Sequence, residues 1–325
     1  MQWKQFRYRL EWLVVKTLMF FIPLLTRRGC VRLAKVAGAL VFALDKSGRK
    51  VTLANIEAAL GDQYSTEEQL RIARGSYQSM ARTLLDLFWA PRLTRPGGEK
   101  YAEISGLHHF DVQDGRPCVG LSAHHAGVEW ASIVTALHGY KGFTLTQAFK
   151  NPLLDKLFTS LRTCTGQAII TQDFSMLRMF RSLKDGRGVG MLIDLNLPPS
   201  KVATIIDTFG MKMCATALHA ILARRTGARL VPMTSELLPD GRCRITVHPP
   251  LEIPEGASVQ ETAQIAWNFL EALIRAKPEN WMWMYKHWRY KPKGATHRYP
   301  YYAHESGRFE KLSKALPEES GAVRR

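Results

Sequence analysis

The feature that most constrains this chain is a regular alternation of short apolar runs and helical patterns between residues 118 and 233. Cys118 to Ser122, Phe143 to Thr146, Gln167 to Ile170, Gly188 to Ile193 and Arg229 to Met233 read as strands. Helical patterns fall between them: about Ala126 to Leu137, Pro152 to Arg162, a segment capped by Asp173, and about Ala215 to Gly227. Strand and helix in turn predict an α/β domain, a mixed central sheet covered by helices on both faces. Pro239-Asp240-Gly241 predicts a hairpin turn, and a last helix, about Val259 to Arg275, precedes an aromatic cluster of Trp281, Trp283, Tyr285, Trp288 and Tyr290.

Upstream of this domain the pattern is helical from about residue 27 to residue 90. Ser65 and Glu68 form a capping box for the longest of these helices, and Pro91 to Gly98 breaks the chain. Residues 12–25 are largely apolar with a single charge, Lys16, and follow a basic, aromatic opening with Trp3, Lys4, Phe6, Arg7, Tyr8 and Arg9. A bilayer span needs about 20 apolar residues, so this shorter, charged run predicts a helix lying in or tilted through the interface, with Lys16 snorkelling. A helix buried in the core is the alternative. No small-residue cleavage pattern follows the run, so the segment is expected to stay attached. The chain thus divides into a membrane-associated helix (1–26), a helical part (27–98), an α/β core (99–302) and a weakly apolar tail (303–325) expected to be loosely ordered.

Lys and Arg number 45 against 28 Asp and Glu, a formal net charge of +17. Such a field attracts nucleic acid, anionic lipid or an acidic protein. With no helix-turn-helix, finger spacing or aromatic RNA-binding signature, charge alone favours nucleic acid, and it ranks last. The five cysteines contain no C-x-x-C pair, which argues against a disulfide framework or a structural zinc and for a reducing compartment.

The stretch richest in chemistry runs from Cys118 to Trp130, a buried strand leading through His124 and His125 into a helix that carries Glu129. In open α/β sheets ligands gather at the carboxyl ends of strands, where His124 falls. With His124 in the turn and Glu129 in the first turns of the helix, the carboxylate can reach back to the imidazole. That contact would fix the tautomer and leave the other ring nitrogen to take a proton from an alcohol. His125 is the rival base; its i, i+4 relation to Glu129 suggests a structural pair or two metal ligands, and without a third ligand nearby no metal is expected. A serine hydrolase competes, because Gly120-Leu-Ser122-Ala-His124 differs from G-x-S-x-G only at its last position. A histidine there should clash, and the acid and base would have to come later in the chain, for example Asp194 with His219 or His248. A non-catalytic basic adaptor on anionic membranes would explain the charge but not His124 and Glu129.

The H-x4-E spacing of His124 and Glu129 resembles the motif of the glycerolipid and lipid A acyltransferases. So does its context, which is similar to the late lipid A acyltransferase family over nearly the whole chain. The matching segments are Asn55 to Gly61, Ile104 to His108, Gly115 to His124, Asn151-Pro-Leu-Leu-Asp-Lys-Leu, Phe209-Gly210, Leu222 to Pro232, His248 to Glu252, and Trp281-Met-Trp through Pro292. This resemblance implies a glycerolipid-acyltransferase-like fold and an O-acyltransferase at the cytoplasmic face of the inner membrane, with no cofactor. It also implies an acyl carrier protein thioester as donor, coenzyme A being the alternative, and a lipid A precursor as glycolipid acceptor. By position, His124 matches the general base and Glu129 its orienting acid, while Arg162 and Asp194 match substrate-binding positions. Read without the resemblance, Arg162 could complement a helix C-terminus and Asp194 could be a turn former. The sequence departs from the family at Gln147, Leu195, Thr204 to Gly210 and Tyr285, which leaves another hydroxylated lipid, a phosphoinositide mannoside or an aminolipid, as alternative acceptor.

Overall fold

The computed structural model describes residues 2–111, 115–140, 142–171 and 175–315. Four helices come first: α1 (Gln2–Phe21), α2 (Arg27–Leu44), α3 (Lys46–Leu60) and α4 (Thr66–Trp89). Their boundaries have local causes. Pro23 sits in the short turn that ends α1, Thr26 and Asp45 cap α2 and α3 by accepting from Gly29 and Gly48 N–H, and Ser65 with Glu68 makes the expected capping box of α4. Asn151 ties α1 to the rest, donating through Nδ2 to the Tyr8 carbonyl and to Glu11 Oε2.

The remainder alternates strand and helix: β1 (Ala102–Ser105), β2 (Cys118–Ser122), α5 (Val128–Leu137), β3 (Phe143–Thr146), α6 (Pro152–Arg162), β4 (Ala168–Thr171), α7 (Ser175–Lys184) and β5 (Val189–Leu192). Then follow the hairpin β6 (Ala203–Thr208) and β7 (Met211–Thr216), α8 (Leu218–Thr226), β8 (Arg229–Leu237), β9 (Cys243–Val247), α9 (Val259–Ala276), the two-residue pair β10 (Tyr290–Lys291) and β11 (His304–Glu305), and α10 (Gly307–Lys314). Seven strands form the main sheet in the order β1-β9-β8-β2-β5-β3-β4. All neighbours are parallel except β8 and β9, which the Pro239 to Gly241 turn joins as an antiparallel hairpin. The α/β architecture with a mixed, mostly parallel sheet is therefore the expected one.

Two expectations change, and one is not reached. Ala215 lies in β7 rather than at the start of a helix, which begins at Leu218. The segment after residue 302 is not wholly loose, because α10 forms and Phe309 on it is fully buried against Ala203, Ile205 and Cys214. The proposed cap at Asp173 lies outside the described residues.

Two apolar centres flank the sheet. One gathers Trp267, Trp281, Trp283 and Trp288 around Phe209; the other holds Trp89, Trp130, Phe88 and Phe158. Charge is buried beside the second. Arg27 lies against the rings of both Trp89 and Trp130, 4.7 and 4.6 Å from their centroids, and donates to Asp86 at 2.5 Å. Arg82 reaches the same carboxylate at 3.5 Å. Removing one member of such a cluster leaves like charges buried without compensation. Asp86→Ala should therefore destabilise the fold by about 3–5 kcal/mol, to be read as a lower urea midpoint.

None of the described helices is long and apolar enough to cross a membrane. Yet α1 and α2 leave many apolar side chains exposed, among them Trp3, Phe6, Phe20, Phe21, Val36 and Leu44.

Candidate active site

The site is built where β2 and β5 end side by side. Both strands are parallel neighbours, and the pairing continues one step further as Ile193 N–H donates to the Ser122 carbonyl. The next residues, His124 and Asp194, therefore meet. Asp194 Oδ2 accepts the backbone N–H of His124 at 2.9 Å, and Oδ1 lies 2.8 Å from His124 Nδ1. A third donor, Trp281 Nε1–H, reaches Oδ2 at 2.7 Å. The turn after His124 is held in place by the same distant segment, Ala126 N–H donating to the Asn280 carbonyl and Met282 N–H to the His124 carbonyl.

Asp194 is fully buried. Burial alone would raise its pKa, but the charge and hydrogen bond of His124 and the Trp281 N–H outweigh it and hold the carboxyl at about 2. An ionised carboxylate only accepts, so Nδ1 of His124 carries the proton and Nε2 is left with its lone pair when the ring is neutral. Burial would lower the His124 pKa; the Asp194 charge and hydrogen bond, helped by Glu129 and opposed by Arg162, raise it instead. The ring is 28% exposed and opens on the cavity, and Nδ1 makes its only hydrogen bond among the described residues.

Glu129 does not reach back to His124. It stands in the first turn of α5, whose start is set by Gly127 at a φ of 83°, where an added Cβ would also press on Leu237 and Cys243. Its carboxylate is gripped by Arg162, from the last turn of α6, through Nε at 3.0 Å and Nη2 at 2.6 Å. This bidentate pair, about three quarters buried, lines the same cavity. Burial lowers the Arg162 pKa, and the Glu129 hydrogen bonds and charge more than reverse that. The structure thus brings all four expected side chains into one site with the carboxylates exchanged: Asp194 pairs with the histidine and Glu129 with the arginine. Trp281 was visible in the sequence only as part of an aromatic cluster; its place as the first residue of the matching Trp-Met-Trp segment was the one available signal.

The other candidates separate. His125 is buried, does not line the cavity, and is held well down, at about 4, by desolvation, so it cannot act as the base there. His219 is buried within α8 and likewise near 4, and His248 contacts Thr234 at 2.8 Å. Neither lines the cavity with Ser122, and Asp194 is already engaged by His124, so the triad a serine hydrolase would need is not assembled. Among the described residues no group of His, Cys, Asp and Glu could hold a metal ion.

The cavity, about 1080 Å³, runs from His124, Glu129 and Arg162 along the sheet surface beneath α5, walled by apolar side chains such as Ile133, Leu145, Leu195 and Met233. A base with an available nitrogen at the mouth of a long apolar cavity suits chemistry on a lipid chain. The lipid A biosynthesis lauroyltransferase of Escherichia coli (strain K12) is 25% identical over 305 residues, 90% of this chain and 95% of that enzyme. The pattern of the bacterial lipid A biosynthesis acyltransferases extends over residues 2–290, from α1 through every element of the site to β10, and the chain belongs to that family of acyltransferases.

Proposed function

We propose that this acyltransferase moves a fatty acyl group from an acyl thioester, most simply one on acyl carrier protein, to a hydroxyl of a lipid A precursor. The observation that carries the chemistry is the His124–Asp194 pair at the apolar cavity, with Nε2 of His124 unengaged among the described residues. Nε2 takes the proton of the acceptor hydroxyl as its oxygen attacks the thioester carbonyl carbon. As the tetrahedral intermediate collapses, the carbon–sulfur bond breaks and the imidazolium returns the proton to the leaving thiolate. Asp194 holds the tautomer and compensates the imidazolium charge. No acyl group need pass through Ser122.

Glu129 then acts through Arg162, fixing the guanidinium at the cavity mouth so that its remaining N–H groups can face a phosphate or the developing oxyanion. The exposed apolar side chains of α1 and α2, together with the surplus of Lys and Arg, support work at the cytoplasmic surface of an anionic membrane. The same charge favours an acidic carrier protein as donor.

Mass spectrometry of the products from a lipid A precursor and from its dephosphorylated form tests the acceptor. Faster transfer to the phosphorylated lipid, at least about tenfold, is the expected result, one charge-assisted contact contributing about 1.5–3 kcal/mol. Equal rates would remove phosphate recognition. Absence of transfer to either, with transfer to a phosphoinositide mannoside or an aminolipid, would move the acceptor outside lipid A.

A further inference from the structure

Two glycines in the middle of the sheet are not required by the backbone around them. Gly120 on β2 and Gly190 on β5 are register partners, and neither has a positive φ. A Cβ at Gly120 would come no nearer than 3.7 Å to any other group, and one at Gly190 no nearer than 3.8 Å, both ordinary contact distances. The sheet would therefore accept side chains at both. Glycine inside a strand weakens it and often marks the close approach of a ligand or another backbone. Here the nearby backbone is that of the paired strands themselves, and what lies over both glycines is the cavity.

We infer that Gly120 and Gly190 form a gauge that lets a long acyl chain pass down the cavity and so set the chain length transferred. The inference rests on the acyl-thioester reading of the site. Side chains alternate across a strand, and Ser122, Gly120 and Cys118 line the cavity in two-residue steps leading away from His124. From Ser122 to Cys118 the strand covers about 13 Å at about 3.3 Å per residue. An extended hydrocarbon advances about 1.25 Å per carbon–carbon bond, the projection of a bond of about 1.5 Å on a tetrahedral zigzag. That run therefore corresponds to about 10 carbon–carbon bonds, with the glycines about halfway down. With its carbonyl carbon near His124, an acyl chain that runs the length of β2 has about 12 carbons, and it must slide past both glycines. Valine at either position would project two methyl groups across its path.

The test uses the full chain with acyl carrier protein thioesters of saturated chains of increasing length. Wild type should be fastest near about 12 carbons. In Gly120→Val and in Gly190→Val the optimum should move to about six to eight carbons, the length that stops short of the glycines, with kcat/KM for the longer chain falling about 100-fold. Calorimetric titration with dodecanoic acid reads the cavity without turnover, and the same variants should bind it at least about tenfold more weakly. Wild type that transfers no chain, with dodecanoic acid binding still lost in the variants, would sink the transfer reading and leave the gauge standing. Variants with unchanged chain preference and unchanged fatty-acid affinity would overturn the gauge. Should the valine proteins fail to fold, Gly120→Ala and Gly190→Ala decide by the same measurements, since their Cβ atoms make only ordinary contacts.

Discussion

Alanine in place of His124 should lower the rate of acyl transfer by about 10²–10⁴ while the unfolding transition stays close to that of the parent. The effect is large because, among the described residues that line the cavity, the imidazole is the one group with a lone pair matched to a hydroxyl proton. The fold should tolerate the change because the ring is part-exposed and its main partner, Asp194, keeps the Trp281 N–H and the residue-124 backbone N–H. Ser122→Ala is the control. A dead serine variant, or an acyl group trapped on Ser122, would replace this mechanism with one that proceeds through an acyl-enzyme.

Asp194→Asn should be nearly as damaging, with a loss of about 10²–10⁴ in kcat, whereas Glu129→Gln should chiefly disturb Arg162 and raise KM for the acceptor. An amide at 194 can present N–H to Nδ1 and so favour the tautomer whose proton sits on Nε2, the wrong nitrogen for a base. The pH profile carries a second signature. His124 must be neutral to act, and its pKa is raised chiefly by the Asp194 charge and hydrogen bond, so in the parent the rate climbs as pH rises through that raised value. Without the carboxylate charge the pKa falls, and the acid limb of the remaining activity should move to lower pH. A profile that moves with Glu129→Gln and not with Asp194→Asn would return the orienting role to Glu129.

Much of this fold can be read locally. The bounds of β2, β3 and α6 coincide with the sequence expectation because each is punctuated by its own residues: Pro117 before β2, Gly142 before β3, and Asn151-Pro152 as cap and first turn of α6. The β6–β7 hairpin escapes such reasoning. Its two-residue turn is Phe209-Gly210, both with positive φ (51° and 79°), and a bulky residue at the first position is not the Asn or Asp that usually announces this turn. Phe209 is held there by tertiary contacts, its ring among the tryptophans and its N–H on Glu271 Oε2 at 2.7 Å. The site divides the same way. His124, Glu129, Arg162 and Asp194 each stand out in the sequence, but which acid meets which base depends on β5, not β3, lying beside β2, and nothing local to either strand specifies its neighbour.

The hydrogen bond from Trp281 to Asp194 has a consequence for the order in which the enzyme becomes active. Residues 280–283 bind back to Asn55, Ser76, His124, Ala126 and Asp194, contacts between parts of the chain made early and late by the ribosome. A nascent chain carries its base and both carboxylates long before it carries the segment that braces the turn around His124. Closing loops over such separations costs chain entropy and requires both partners to exist, so the brace around His124 can dock only after residues 280–283 have been made. An emerging chain with α1 already at a lipid surface would thus hold its acyl-transfer chemistry in abeyance until synthesis has passed Trp283.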